Sequence, residues 1–151
     1  MIIKKITSKQ DGLKLEIAIM ECDNPKGIVQ FSHGMAEHKE RYFDFMQYLN
    51  ERGYICVIHD HRGHGASVKS KNDYGYFYTE NADYIVDDLF QVTEYVCDMY
   101  PGLEVTLFSH SMGSLVARMY IQDYDDMIDK LILCGALTYN PFSLLGSFIL
   151  T

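Results

Sequence analysis

The sequence predicts an α/β fold: a mainly parallel sheet with helices on both faces, preceded by an N-terminal β-hairpin. Short apolar strands alternate with segments of helical periodicity, and this alternation is typical of parallel sheets. The turn signal Asp11-Gly12 separates two alternating segments, 2–7 and 13–20, and so predicts the hairpin. Three polar, glycine-containing segments directly follow apolar strands, so a ligand site is expected at that edge of the sheet.

The remaining elements follow in order along the chain. A strand at 28–31 precedes a first helix, which Gly53 is placed to end. The apolar runs 54–58 and 130–136 predict strands that are buried on both faces. Between them, Pro101-Gly102 ends a second helix, and a further strand and helix flank Ser111. The apolar faces of the first two helices consist of Tyr42, Phe45, Met46 and Leu49, and of Ile85, Leu89, Val92 and Val96.

Composition indicates an ordinary globular protein and limits its partners. The chain has 151 residues, 48% of them apolar and 23% charged, which suits one domain with a sizeable core. The formal net charge of −8 argues against nucleic acid or an anionic membrane surface as a partner. No apolar run approaches the roughly 20 residues of a membrane span, so stable membrane insertion is not expected.

Cysteine usage and the first residues of the chain bear on its compartment. The four cysteines show no metal-binding or redox spacing, and Cys56 and Cys134 lie inside apolar strand-like runs. This distribution predicts reduced thiols and an intracellular protein. Residues 1–6 lack the apolar core of a cleaved signal peptide, which also favours a cytoplasmic location.

The stretch around Ser111 carries the most chemical information. Apolar and β-branched residues at 105–108 run into Ser109-His110-Ser111-Met112-Gly113, and apolar residues at helical spacing follow. A strand that turns sharply into a helix around a serine is typical of a nucleophile elbow, which exposes the serine Oγ at the helix N-terminus. The usual motif has glycine where this chain has Ser109. The alternative interpretation is that Ser111 is only a helix N-cap.

Two backbone amides would complete a site around Ser111. Acyl transfer through serine needs a base, a group that orients the base, and donors for the oxyanion. In a nucleophile elbow the donors are N–H groups from the residue after the nucleophile and from the loop after an earlier strand. These positions are Met112 and Met35, whose side chains are interpreted as hydrophobic residues that line the cleft.

Three motifs occur together and in a defined order. They are His33-Gly34-Met35-Ala36-Glu37-His38, Asp60-His61-Arg62-Gly63-His64-Gly65-Ala66-Ser67, and Ser109-His110-Ser111-Met112-Gly113. In this combination the chain resembles the α/β-hydrolases, and among them the monoacylglycerol lipase and lysophospholipase group, also classed with serine aminopeptidase-like hydrolases. The resemblance implies that Ser111 is the nucleophile and that Met35 and Met112 form the oxyanion hole. It further implies a small-molecule ester with one acyl chain as substrate, hydrolysed without a metal or organic cofactor.

The resemblance covers only the first part of such an enzyme. In α/β-hydrolases the triad runs in the order Ser, Asp or Glu, His, and its later members follow a cap. We therefore expect residues 1–136 to form the N-terminal part of the core and residues 137–151 to begin the cap. The triad Asp and His are expected to be absent, and the sheet to be truncated before its last strands. The alternative function is a catalytically inactive fragment that at most binds a partner or itself, the latter through an exposed edge strand at 130–136.

The other histidines and aspartates receive no catalytic assignment. His110 is adjacent to Ser111, but neighbours on such a turn point apart, and His33 is interpreted as structural. Asp60 is expected to shape the loop around Arg62. The cluster of His59, Asp60, His61 and His64 could hold zinc, but its glycines indicate a tight loop and no second cluster completes a ligand set. No metal site is predicted, and His38 is likewise interpreted as a loop residue.

Overall fold

The computed structural model of the chain describes residues 1–136. Within that range, six strands and three helices alternate in the predicted order. The strands are β1 (Ile2–Thr7), β2 (Lys14–Met20), β3 (Gly27–Ser32), β4 (Tyr54–His59), β5 (Val105–His110) and β6 (Lys130–Cys134). The helices are α1 (Phe43–Asn50), α2 (Asp83–Met99) and α3 (Met112–Asp123).

The described strands form one sheet in the order β1-β2-β4-β3-β5-β6. The hairpin strands β1 and β2 pair antiparallel, and β2 also pairs antiparallel with β4. The strands β3, β4, β5 and β6 pair parallel to one another. The mainly parallel sheet with an N-terminal hairpin is therefore confirmed, and the carboxyl ends of β3, β4 and β5 meet at one edge.

Apolar layers cover both faces of the sheet, because alternate residues of a strand point to opposite sides. One layer contains α1, and the other contains α2 and α3, which pack against each other. Helices on both faces are thus confirmed. Strand residues on the α1 side include Ala18, Val29, Phe31, Cys56 and Ile58, and those on the α2 side include Ile17, Ile19, Ile28, Ile55 and Val57.

The strand β6 differs from its prediction. The sequence run was expected to be buried on both faces, but β6 is an edge of the described sheet and four of its five residues are exposed. Ile132 is 47% exposed and Leu133 41% exposed. Cys134 is exposed as well, whereas Cys56 is buried as expected. The prediction of burial is wrong because no element within residues 1–136 lies beyond β6 to cover it.

Two expectations concern residues at or beyond the end of the described range. The start of a cap at 137–151 lies outside the described residues, so this assignment and the boundary after residue 136 stay predictions.

None of the helices within residues 1–136 has the length and apolar character needed to cross a bilayer.

A buried ion pair fastens the N-terminal hairpin to α2. Arg62 is fully buried and donates to Asp88 at 2.8 Å and to Asp11 at 3.0 Å. Ser8 Oγ donates to the second Asp88 oxygen at 2.6 Å, and the Phe77 carbonyl accepts from Arg62 at 2.9 Å. Burying a guanidinium costs free energy unless its donors are paired. Here the two carboxylates and the Phe77 carbonyl accept hydrogen bonds from Arg62 and offset that cost. Arg62 thereby joins the hairpin turn, the loop after β4 and α2.

We predict that Asp88→Asn lowers the free energy of unfolding by about 3 kcal/mol, because it leaves a buried guanidinium without its closest carboxylate. Glu94→Gln is the matched control, since it removes an acid from α2 whose ion pair with Lys9 is exposed to solvent. That change should cost less than about 1 kcal/mol. Urea unfolding followed by circular dichroism measures both, and equal losses for the two variants would contradict the role given to Arg62.

Candidate active site

Ser111 lies in the turn between β5 and α3 with a strained backbone. Its φ is 50° and its ψ is −116°, a combination outside the regions that residues with a side chain normally adopt. Such a conformation costs on the order of 1–3 kcal/mol and persists only where neighbours enforce it. Here the Ser111 N–H donates to the Cys134 carbonyl, and the Ser114 N–H donates to the Ser111 carbonyl, both at 2.9 Å. The predicted strand, turn and helix are confirmed, and the Ser111 hydroxyl makes none of the hydrogen bonds of an N-cap.

Two glycines let the surrounding backbone approach this turn. A Cβ on Gly113 would lie 2.1 Å from the Ser32 carbonyl oxygen, so α3 can begin against β3 only with glycine there. A Cβ on Gly34 would lie 3.2 Å from the Ser111 Cβ, so glycine lets the loop after β3 pass close to the serine. Ser109 replaces the other glycine of the motif without conflict, because its Oγ donates to the Ile132 carbonyl at 2.9 Å.

The two methionines expected to supply amides differ in their surroundings. Met112 is the first residue of α3, where backbone N–H groups have no partner within the helix. Its side chain is buried between α2 and α3, so it does not line the cleft as expected. The Met35 side chain is 58% exposed and borders a cavity. The Met35 N–H donates to no other group among the described residues.

The Glu37 carboxylate ties the loop after β3 to the turn that holds Ser111. One oxygen, Oε2, accepts from the Gly34 N–H at 2.8 Å, the Tyr42 hydroxyl at 2.7 Å and His110 Nδ1 at 3.1 Å. The other oxygen pairs with Arg41 Nε at 3.0 Å. Burial raises the pKa of Glu37, but the hydrogen bonds from Tyr42, Gly34 and His110 outweigh it and lower the pKa to about 2. The carboxylate is therefore ionised, and His110 Nδ1 must carry the proton that it shares with Glu37.

His33 binds the backbone carbonyl of Gly34. The His61 N–H donates to His33 Nε2 at 2.9 Å, so the neutral ring carries its proton on Nδ1 and donates it to the Gly34 carbonyl at 2.8 Å. Gly34 is thus bound through both of its backbone groups, by Glu37 at the N–H and by His33 at the carbonyl. The structural role expected for His33 is consistent with this arrangement.

A group of imidazoles lies beneath these loops, away from solvent. His33, His59 and His61 are fully buried, with ring centroids 4.5 Å apart for His33 and His61 and 4.6 Å apart for His59 and His61. Burial lowers the pKa of His33 to about 4 and that of His59 to about 3, and it holds that of His61 well below its usual value. Among residues 1–136, no group of three or more potential ligands is arranged to hold a metal ion. These histidines are neutral packing groups at pH 7.

Asp60 organises the loop after β4 through partners that the sequence did not indicate. Its carboxylate accepts from the Lys39 N–H at 2.7 Å, from Lys39 Nζ at 2.9 Å and from the Ala66 N–H at 2.8 Å. Asp60 therefore shapes this loop as expected, but through Lys39 and not around Arg62, whose carboxylate partners are on the hairpin turn and α2. Burial lowers the pKa of Lys39, but its bonds to Glu16, Glu40 and Asp60 raise it above its usual value.

Two cavities border the loop that contains Met35. The larger, about 800 Å³, lies between this loop and the loop after β4. Its apolar wall includes Met35, Ala66, Val68 and Tyr74, whereas Ser111 does not line it. The smaller, about 280 Å³, is bordered by Glu37, Arg41, Tyr42, Phe45, Phe108 and His110. The smaller cavity is therefore the one next to His110, which directly precedes Ser111.

The loop after β3, the loop after β4 and the turn at Ser111 all lie at the carboxyl edge of the sheet. A sequence profile for the family described as serine aminopeptidase, S33, matches residues 23–148, which is most of the chain. The chain belongs to this family. The matched residues include the loop after β3, the loop after β4 and the turn after β5.

Two individual relatives are similar to this chain over about three quarters of its length. A monoglyceride lipase homolog from Monkeypox virus is 32% identical over 116 residues, which cover 75% of this chain and 39% of that protein. A probable lysophospholipase L2 from Haemophilus influenzae is 30% identical over 113 residues, which cover 72% of this chain and 36% of that protein. The chain thus spans less than half the length of the curated relatives it matches.

Solved structures confirm the α/β-hydrolase fold. A thermostable carboxyl esterase from Bacillus coagulans, solved in complex with glycerol, is 28% identical and superposes with a TM-score of 0.86. The superposition covers 99% of this chain and 50% of the esterase. The described sheet is therefore part of the sheet of an α/β-hydrolase.

Sequence reasoning gave Glu37 no role. A signal was present, because Glu37 stands three residues after Gly34, the spacing at which a carboxylate reaches back to a backbone N–H in a capping box. The tautomer of His33 had no such signal, since it depends on the approach of the His61 N–H from the loop after β4.

We predict that stability falls as the pH drops from about 6.5 toward 4, because the unfolded chain binds protons on histidines that remain neutral in the fold. For His59, whose ring nitrogens have no partner, the loss between pH 7 and 5 should be about 2 kcal/mol. His59→Phe should therefore flatten the pH dependence of the free energy of unfolding by that amount. Urea titrations at pH 7 and 5 measure it, and an unchanged slope in His59→Phe would refute the assignment.

Proposed function

We propose that the protein is a serine hydrolase of carboxylic esters that reacts through an acyl-enzyme on Ser111. The observation that carries the proposal is the strained conformation of Ser111, held at the carboxyl edge of the sheet between the loop after β3 and the start of α3. Enforced strain of this kind is a feature of nucleophile elbows, because it separates the hydroxyl from the sheet. A serine that only caps the N-terminus of a helix does not require a strained backbone conformation.

The oxyanion is proposed to bind the backbone N–H groups of Met35 and Met112. The positive end of the α3 dipole lies at Met112, and it favours the negative charge that develops on the carbonyl oxygen during attack. Met35 is on the loop that passes close to Ser111 at Gly34. Both amides are provided by backbone, so the identity of the two side chains matters little for this step.

The base that accepts the Ser111 proton is proposed to lie outside residues 1–136. No histidine in the described part of the chain hydrogen-bonds to Ser111 Oγ, and His110 is turned toward Glu37. In α/β-hydrolases the acid and the histidine follow the nucleophile in the chain. We assign neither role to a residue of this sequence.

The proposed substrate is an ester with a single acyl chain, such as a monoacylglycerol or a lysophospholipid. The proteins named as monoglyceride lipase homolog and lysophospholipase match this chain over about three quarters of its length. We propose no metal or organic cofactor, because the elbow and the two amides supply the nucleophile and the oxyanion site.

The decisive test is labelling of the 151-residue chain with a fluorophosphonate probe, which reacts with activated serines. The chain lacks an assigned base, but an oxyanion site alone retains part of the rate acceleration of a full triad. We therefore expect slow labelling of the parent chain, loss of labelling in Ser111→Ala, and unchanged labelling in Ser70→Ala, a change at an exposed serine on the loop after β4. Absence of labelling in a folded parent chain would refute hydrolase activity for this chain. It would favour the alternative, a catalytically inactive fragment.

The second candidate function is that of a self-associating module, and the exposed edge strand favours it. Within the described residues, β6 has a neighbour on one side only, and it carries Ile132 and Leu133 in exposed positions. An exposed apolar edge can add a strand from another chain, because its backbone groups on that side are free to pair.

We predict that Ile132→Lys shifts the chain toward monomer, because a lysine on an edge strand opposes pairing. Ile3→Lys is the matched control, since Ile3 is exposed on β1, the opposite edge of the sheet. Light scattering after size-exclusion chromatography across a concentration series measures the mass. A parent chain that stays monomeric at the highest concentration would contradict self-association.

A further inference from the structure

We propose that Glu37 is a positioning residue for the oxyanion site: its carboxylate fixes the Met35 amide relative to Ser111 by binding the loop and the elbow at once. This inference rests on the proposed function of Ser111 and adds a residue to it. Glu37 touches no reacting atom in this role and acts through the backbone of its own loop.

The first step of the argument is that three elements meet at one oxygen atom. Glu37 Oε2 accepts from the Gly34 N–H on the loop after β3, from Tyr42 in the short helical turn before α1, and from His110 at the end of β5. The Glu37 side chain is 10% exposed, so these bonds are largely shielded from water. Charge-assisted hydrogen bonds of this kind are roughly twice as strong as neutral ones.

The second step is that the loop needs such an anchor. Ala36 has a φ of 56°, the left-handed region that residues with a Cβ seldom adopt, so the loop is held away from its relaxed conformation. A weak turn bond from the Glu37 N–H to the Gly34 carbonyl, 3.3 Å long, is the other backbone contact across the loop. Besides the bond from His33 to the Gly34 carbonyl, the carboxylate bond to the Gly34 N–H is the short hydrogen bond that closes the loop around Met35.

The third step links the anchor to the chemistry. An oxyanion site works because its donors are already in place before charge develops, and a small displacement of one donor loses much of the effect. Met35 directly follows the Gly34 residue that Glu37 binds, and Ser111 directly follows the His110 residue that Glu37 binds. The carboxylate thus sets the distance between the proposed donor and the proposed nucleophile.

The test compares Glu37→Ala, which removes the anchor, with Glu37→Gln, which keeps one acceptor oxygen at the same reach. We expect the maximal rate of fluorophosphonate labelling of Ser111 to fall at least about tenfold in Glu37→Ala, with the concentration for half-maximal rate little changed. Glu37→Gln should recover part of the rate. Glu51→Gln, a change at the exposed end of α1, is the control and should label as the parent chain does.

A second measurement tests whether Glu37 holds the loop without requiring Ser111 to react. Hydrogen exchange of the peptide 33–38, followed by mass spectrometry, should accelerate in Glu37→Ala while exchange in β3 and β4 stays slow. If the parent chain is not labelled at all, the proposed function fails and the exchange result alone decides whether Glu37 holds the loop. Parent-like exchange in Glu37→Ala, or parent-like labelling rates in a chain that does label, would overturn the inference.

Discussion

The close approach of β3 to the start of α3 is the constraint on which the site depends. The Ser32 carbonyl occupies the space where any side chain at position 113 would begin, so the helix can start at that point only with glycine. This approach forces the chain to turn within one residue after β5, and Ser111 takes up the resulting strain. The same approach brings the loop after β3 against the serine. The energy for this geometry comes from the apolar layers on both faces of the sheet, where the strands β3 and β4 are buried on both sides.

Much of the fold and the positions of the three motifs were accessible from the sequence. Uninterrupted apolar runs mark strands that are covered on both faces, and Asp11-Gly12 marks the hairpin, because both depend on local chemistry. Two expectations stood for β6, a buried strand from its apolar residues and an exposed edge if the sheet ends there, because the burial of a strand depends on what lies beside it. Glu37, His33 and Lys39 could be placed only with three-dimensional contacts, since each binds groups from more than one segment of the chain.

The polar groups under the site are arranged in two different ways. Charged side chains such as Arg62 and Lys39 are buried with carboxylates around them, so their charges persist at every pH near neutrality. The histidines His33, His59 and His61 are buried without an acid, so they are kept neutral by burial. The neutral state of His33 is required for its two hydrogen bonds, because only the neutral ring can both accept from the His61 N–H and donate to the Gly34 carbonyl. The loop that carries Met35 is therefore held by the Glu37 carboxylate at the Gly34 N–H and by the neutral His33 imidazole at the Gly34 carbonyl.

The parallel pairing of β3 with β5 also determines when the site can form. Ile28 pairs with Val105, and the two strands that flank the site are separated by the 72 residues 33–104, which include α1, β4 and α2. Contacts between such distant segments require closure of a long loop and are formed slowly. The hairpin and α1 can form early from local contacts, but the strained turn at Ser111 has no support until β5 is inserted beside β3. Before that pairing forms, nothing in the described fold enforces the strained conformation of Ser111, so the turn takes its final geometry only after the sheet is assembled.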